Sequence, residues 1–179
     1  MYRRLSLPAL ALLSGLLLPA AAHAQVLPPA AVPLVPQVRE AGQGRLTWWG
    51  LHVYDARLYV SGPALRAGEP FALALRYARD FEGRRIADTS LEEMRRMGFG
   101  SQADQRRWGD AMLALFPDVK RGDELTGVSV PDRGAVFFLN GRRIGEIDDP
   151  AFSRAFFAIW LDPRTRAGEL RQRLLGEAG

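Results

Sequence analysis

Apolar and polar positions alternate through 46–60, where β-branched and aromatic residues dominate, and a period of two predicts strand rather than helix. Trp49-Gly50 divides the stretch into two strands. On a regular second strand His52, Tyr54, Ala56 and Leu58 share one face. Ser61-Gly62-Pro63 ends it, and Gly68-Glu69-Pro70 introduces a strand over 71–78 with Phe71, Leu73, Leu75 and Tyr77 on one side and Arg76 on the other. The period then changes. Ser90-Leu91-Glu92-Glu93 has the form of a capping box, which predicts a helix opening there and stopping at Gly98. From Ser101 a second helix carries Trp108, Ala111, Met112 and Leu115 at i, i+3, i+4 and i+7, and Pro117 closes it.

Strand patterns return over 124–130, 135–139 and 142–147. Asn140-Gly141 between the last two is a strong hairpin signal, because both residues tolerate positive φ. Asp149-Pro150 starts a helix striped by Phe152, Ala155, Phe156, Ile159 and Trp160, with the acid at the cap and proline in the first turn. Asp162-Pro163 breaks it, and a last short helix carries Leu170 and Leu174 before Gly176. Strands, helices, strands and helices, with a hairpin and no βαβ rhythm, predict an α+β fold: an antiparallel sheet with helices packed on one face.

The N-terminal pattern is of another kind. Arg3 and Arg4 precede an almost wholly apolar run over 5–18, and Ala22-His23-Ala24 supplies small residues before Gln25. Residues 1–24 therefore read as a signal peptide cleaved after Ala24, which predicts a periplasmic or secreted protein with no stable membrane insertion once cleaved. Residues 25–37 hold four prolines, Pro28, Pro29, Pro33 and Pro36, and read as an extended leader spacing the domain from its export site. Folding is expected to begin near Val38 and to include 38–179 as one domain.

Composition narrows the chemistry. The 179 residues include no cysteine, which removes disulfides, iron–sulfur clusters, thiolate zinc sites and cysteine nucleophiles together. Taking 24 residues off leaves 155, with a formal charge lowered from +4 to +2 by the loss of two arginines. His52 is then the one histidine, so no multi-histidine metal site can form, and no G-x-S-x-G elbow accompanies it. The pI near 10.1 reflects arginine: Lys120 is the single lysine among 24 basic residues. These alternate with acids, as in Arg79-Asp80 and Arg121-Gly122-Asp123, rather than forming the basic face of a nucleic-acid binder.

Gly42-Gln43-Gly44 opens like a dinucleotide fingerprint but lacks the third glycine and precedes strand, not helix. Asp148-Asp149 could suggest calcium, yet one acid is better placed as a helix cap. Trp48-Trp49 could stack on a planar ligand, or set one indole in the core and the other at its edge. Arg45, His52, Tyr54, Tyr59 and Tyr77 remain as polar candidates; an arginine beside a tyrosine hydroxyl in an apolar cleft can hold a carboxylate or phenolate. The same residues suit a rim ion pair with tyrosines capping a core edge. No cofactor and no metal are expected.

The segments "WWGLHVYDARLYV" (48–60), "FALALRYARDFEGRRIADTSLEEMRRMG" (71–98), "FPDVKRGDELTGVSVP" (116–131) and "NGRRIGEIDDPAFSRAFFAIWLDPRTRAGELRQRLLG" (140–176) resemble the bacterial chalcone isomerase-like family over most of the chain. The resemblance implies an open-faced β-sandwich, with helices on one side of a large antiparallel sheet and a ligand cleft between them. Plant members cyclise a chalcone to a flavanone, related proteins bind fatty acids without catalysis, and many bacterial members have no established activity. In the wider superfamily an arginine after a glycine pair and a residue in the next strand contact the ligand, which Arg45 and Tyr54 match. The enzymes carry threonine where Tyr54 stands, whereas the fatty-acid binders carry tyrosine. The enzymes' later tyrosine near a helix start has no counterpart in 84–90, and Tyr77 lies early for it.

These departures favour an exported, non-catalytic binder of a small amphipathic anion such as a fatty acid, at Arg45, Tyr54, Tyr77, Phe156 and Trp160. An isomerase acting on a chalcone-like enone and a structural or partner-binding envelope protein are the alternatives. Nine residues separate Arg45 from Tyr54, which on one regular strand sets them on opposite faces. A turn or bulge at Gly50 is needed to bring them together.

Overall fold

A computed structural model describes residues 27–177, so the signal-peptide reading of 1–24 lies outside the described residues. Six strands form one antiparallel sheet in chain order: β1 (Val38–Trp48), β2 (Leu51–Ser61), β3 (Phe71–Tyr77), β4 (Glu124–Val130), β5 (Gly134–Leu139) and β6 (Arg142–Ile147). Four helices, α1 (Gly83–Arg96), α2 (Gln102–Leu115), α3 (Pro150–Leu161) and α4 (Gly168–Leu174), cover one face. This is the α+β layer arrangement that the alternating patterns predict. Among the described residues no helix is long and apolar enough to cross a membrane.

The turns obey their local chemistry. Asn140 and Gly141 both have positive φ, as do Trp49 and Gly50, so each pair joins its strands by a two-residue hairpin. Ser101 caps α2 in a reciprocal box with Asp104. Asp149 caps α3 by accepting from the Ala151 and Phe152 amides at 2.8 and 3.2 Å. Its other oxygen accepts from Arg107 Nη2 and Trp108 Nε1 on α2, each at 2.8 Å. Desolvation pushes this carboxyl up, but those hydrogen bonds outweigh it and hold the pKa down at about 2. With both oxygens engaged, Asp149 is a structural clasp between helices.

The expected start of the first helix is corrected. It opens at Gly83, not Ser90, and its cap comes from elsewhere in the chain: Asp118 Oδ1 accepts from the Gly83 amide at 2.8 Å. Ser90 lies mid-helix, buried, with its hydroxyl donating to the Ile86 carbonyl at 2.7 Å. Gly42 and Gly44 likewise acquire a packing reason. They stand where α4 crosses β1, and a Cβ on Gly42 would overlap the Arg173 carbonyl oxygen.

Residues 27–37 do not run outward as the proline content predicts. A short 3-10 turn at Val32–Leu34 folds them against the sheet face away from the helices. Leu27, Ala31 and Val35 are fully buried there on Tyr59, Ala74, Val128, Val136 and Phe138. The prolines shape a tight turn, and Leu27 before them, with Ala31 and Val35 between them, supplies the contact.

Two measurements check this architecture. Leu27→Ala is expected to lower unfolding free energy by ~2–4 kcal/mol, the range for truncating a buried leucine; unchanged denaturant midpoints would return 27–37 to the role of spacer. Gly42→Ala is expected to lower it by ~1–3 kcal/mol through overpacking against α4. Gly168→Ala, whose Cβ would meet nothing within 4 Å, is the neutral control.

Candidate functional site

The space between sheet and helices is a layer of rings. β2 and β3 pair so that Tyr54 lies opposite Tyr77, both facing the helices, with ring centroids 5.9 Å apart. Phe81, just past β3, lies 5.6 Å from Tyr77. From the other side α3 brings down Phe156, whose ring meets Phe116, Phe137, Phe152, Phe157 and Trp160 at centroid distances of 5.3 to 5.9 Å. One turn further along α3, Trp160 Nε1 donates to the Tyr54 hydroxyl at 2.8 Å in a buried hydrogen bond. Four of the five expected site residues, Tyr54, Tyr77, Phe156 and Trp160, therefore meet in one layer.

Arg45 does not join them. Leu46 is the residue opposite Tyr54, and Arg45 pairs with Asp55, on the other face of the sheet. There its Nε donates to Asp55 Oδ1 at 2.9 Å, with both side chains about half exposed. The register explains why. Across the two-residue turn Trp48 pairs with Leu51 and Thr47 with His52, a ladder that would continue to Arg45 opposite Tyr54 if regular. A bulge at Val53 inserts one residue and moves Arg45 to Asp55. The turn restores the convergence and the bulge removes it. The bulge also takes His52 off the Tyr54 face: its Nε2 stands 3.2 Å from Asp55 Oδ1.

Neither tryptophan of Trp48-Trp49 enters the core; the two are 55% and 89% exposed. Tyr59 belongs to the opposite layer, under the N-terminal segment.

Burial sets the chemistry of the phenols. Desolvation raises both well above the ordinary tyrosine range; the Trp160 hydrogen bond offsets part of this for Tyr54, while nearby Glu93 adds to it, and for Tyr77 the neighbour Tyr54 adds to it. Both stay protonated at neutral pH, so they are hydrogen-bond donors and acceptors, not phenolate bases. The Trp160 bond uses a lone pair of the Tyr54 oxygen and leaves the O–H free to turn toward another acceptor. Glu93 is held by Arg96 and Arg166 at 2.8 Å each. Grooves of about 320 Å³ beside Pro117 and Ile144, and about 230 Å³ between Pro33 and Arg143, lie away from the phenols. Phe81, Glu93 and Phe116 were not among the expected residues. Phe116-Pro117 carried the one legible sign, an aromatic at the point where a helix must stop.

The sequence matches the family model described as chalcone isomerase-like over residues 41–176. No curated protein matches the chain. Among solved structures it is similar to the crystal structure of a fatty-acid binding protein of Arabidopsis thaliana. The identity is 14% and the TM-score 0.63, covering 85% of this chain and 96% of that one, a likeness of fold.

The protonated phenols give a pH signature. A folded-state pKa raised above the unfolded value near 10 leaves stability whole below pH 10 and erodes it as pH rises beyond. Unfolding free energy is expected to fall above pH 10 in the native protein and to fall less steeply in Tyr77→Phe. Identical slopes would show that Tyr77 ionises as freely folded as unfolded.

Proposed function

The chain belongs to the chalcone isomerase-like family, and from that premise we propose that it is an exported, non-catalytic binder of a small amphipathic ligand such as a fatty acid. The observation that carries this is the buried Trp160–Tyr54 hydrogen bond, set beside Tyr77 in a layer made mostly of phenylalanine rings. A long apolar chain replaces ring–ring contacts along Phe156 with ring–methylene contacts, at little change in dispersion energy. The polar head takes the hydroxyls of Tyr54 and Tyr77, which their burial keeps as neutral donors. The fatty-acid binding protein of Arabidopsis thaliana lends support through its shared fold. Export is supported by Arg3, Arg4, the apolar run over 5–18 and Ala22-His23-Ala24.

Cyclisation of an enone is the weaker reading. It needs positive charge beside the phenols to take up a developing oxyanion. Arg45, the residue expected to supply it, is engaged with Asp55 across the sheet. For the same reason the head group is held by neutral hydrogen bonds rather than by a guanidinium.

Protein purified under native conditions is expected to carry extractable lipid, seen by mass spectrometry, and to bind a fluorescent fatty acid on titration. Tyr54→Phe should weaken that binding about fivefold to tenfold, the worth of one hydrogen bond of ~1 kcal/mol. Arg45→Ala should leave it unchanged. No lipid above that on a control protein, together with a flat titration, would sink the proposal.

A further inference from the structure

The β1–β2 hairpin ends in the largest exposed apolar side chains among the described residues. Trp48, Trp49 and Leu51 are 55%, 89% and 53% exposed, and no charged residue interrupts 46–51. The backbone is held in a conformation that this sequence does not favour. Trp49 sits at φ 51° in the first central position of the turn, where asparagine, aspartate or glycine is the unstrained choice. Strain maintained to hold an indole outward at the apex points to a function for that indole.

We propose that this tip docks on the surface of a lipid bilayer. The tip is a convex two-residue turn, and its three side chains expose far less than the ~800 Å² per partner of a stable protein interface. Its chemistry suits a bilayer boundary, because an indole presents an apolar body to acyl chains and an N–H to the headgroups. The neighbouring loops offer polar groups to the headgroups, with basic and acidic residues interleaved as Arg79-Asp80 and Arg121-Gly122-Asp123. Arg79 lies two residues past β3, and Ala78 N donates to the Val53 carbonyl at 2.9 Å, which sets that loop beside the base of the tip. Arg121 is fastened to the same loop by its amide donating to Asp80 Oδ1 at 2.8 Å. Both arginine side chains are exposed on the strand ends that the tip overhangs.

The inference deepens the binder reading on which it rests. Leu51 is three residues from Tyr54, so a docked tip brings the phenol end of the ring layer to the membrane, where an amphipathic ligand enters or leaves.

The test uses vesicles of phosphatidylglycerol and phosphatidylcholine brominated along the acyl chains, which quench only tryptophans that reach them. Residues 1–47 contain no tryptophan, and Trp108 and Trp160 are buried, so quenching reports Trp48 and Trp49 whether or not the N-terminal segment is retained. The full protein is expected to be quenched by these vesicles. Trp48→Thr with Trp49→Asn should raise the vesicle dissociation constant at least about tenfold. Asn-Gly suits the turn, so the variant should keep or gain thermal stability. No quenching of the native protein, or unchanged vesicle sedimentation of the variant, overturns the proposal. Binding of a fluorescent fatty acid in vesicle-free solution is read separately. Its absence would remove the binder reading without touching the docking result.

Discussion

The position of α3 over the sheet is the constraint from which the rest of the molecule follows. It is set by Phe156, whose ring bridges Phe137 on β5, Phe116 at the end of α2 and three rings of its own helix. Each such edge or stacked contact adds ~0.5–1.5 kcal/mol to the burial of the rings. The helix is then pinned at both ends by polar bonds within reach only at that height. Asp149 clasps Arg107 and Trp108 at its start, and Trp160 donates to Tyr54 near its finish. The apolar layer fixes the distance, and the polar bonds fix the rotation. A helix rotated by one residue would lose both clasps and leave an indole N–H unpaired in the interior.

That constraint gives the two sheet faces different work. The helix-facing side is closed by rings and by the approach of α4 over Gly42 and Gly44. The other side is half covered by residues 27–35 and half laced by ion pairs, among them Arg45–Asp55 and Arg76–Glu124. An arginine beside the phenols would have to lose its partner and its water together, an expensive move for a charge without a buried counter-ion. The bulge at Val53 spares the fold this. It leaves the face of Tyr54 with the hydroxyls of Tyr54 and Tyr77 and the indole N–H of Trp160, which is paired to Tyr54, among apolar side chains.

Local signals were legible where the chain settles its own geometry. Asn140-Gly141, Asp149-Pro150 and Ser101 each name a turn or cap within a few residues, and the strands of β3 to β6 follow from periods of two. What escaped depends on partners distant in sequence. α1 starts at Gly83 because Asp118 caps it from 35 residues away, and a local box at Ser90 gave the wrong answer. The fate of 27–35 depends on apolar residues on β2 to β5 that no local pattern connects to them. The facing of Arg45 turns on one bulged residue. A period-two argument is reliable only between irregularities, and a bulge has no strong sequence signature when the extra residue is a valine that suits a strand.

The hairpin that carries this bulge also joins the interior to the surface. Within 48–54 the chain passes from two exposed indoles, through a turn with positive φ at a tryptophan, to a phenol buried against Trp160. A polar, flexible tip would have served the fold as well or better, since asparagine relieves the strain and hydrates readily. Packing accounts for Tyr54, and pairing accounts for Asp55. Neither accounts for Trp48, Trp49 or Leu51, whose side chains stand in solvent at the one end of the sheet where the buried hydroxyls come nearest to it along the chain. The stability of the domain gives no reason for that apolar tip, so the reason lies in what the tip meets.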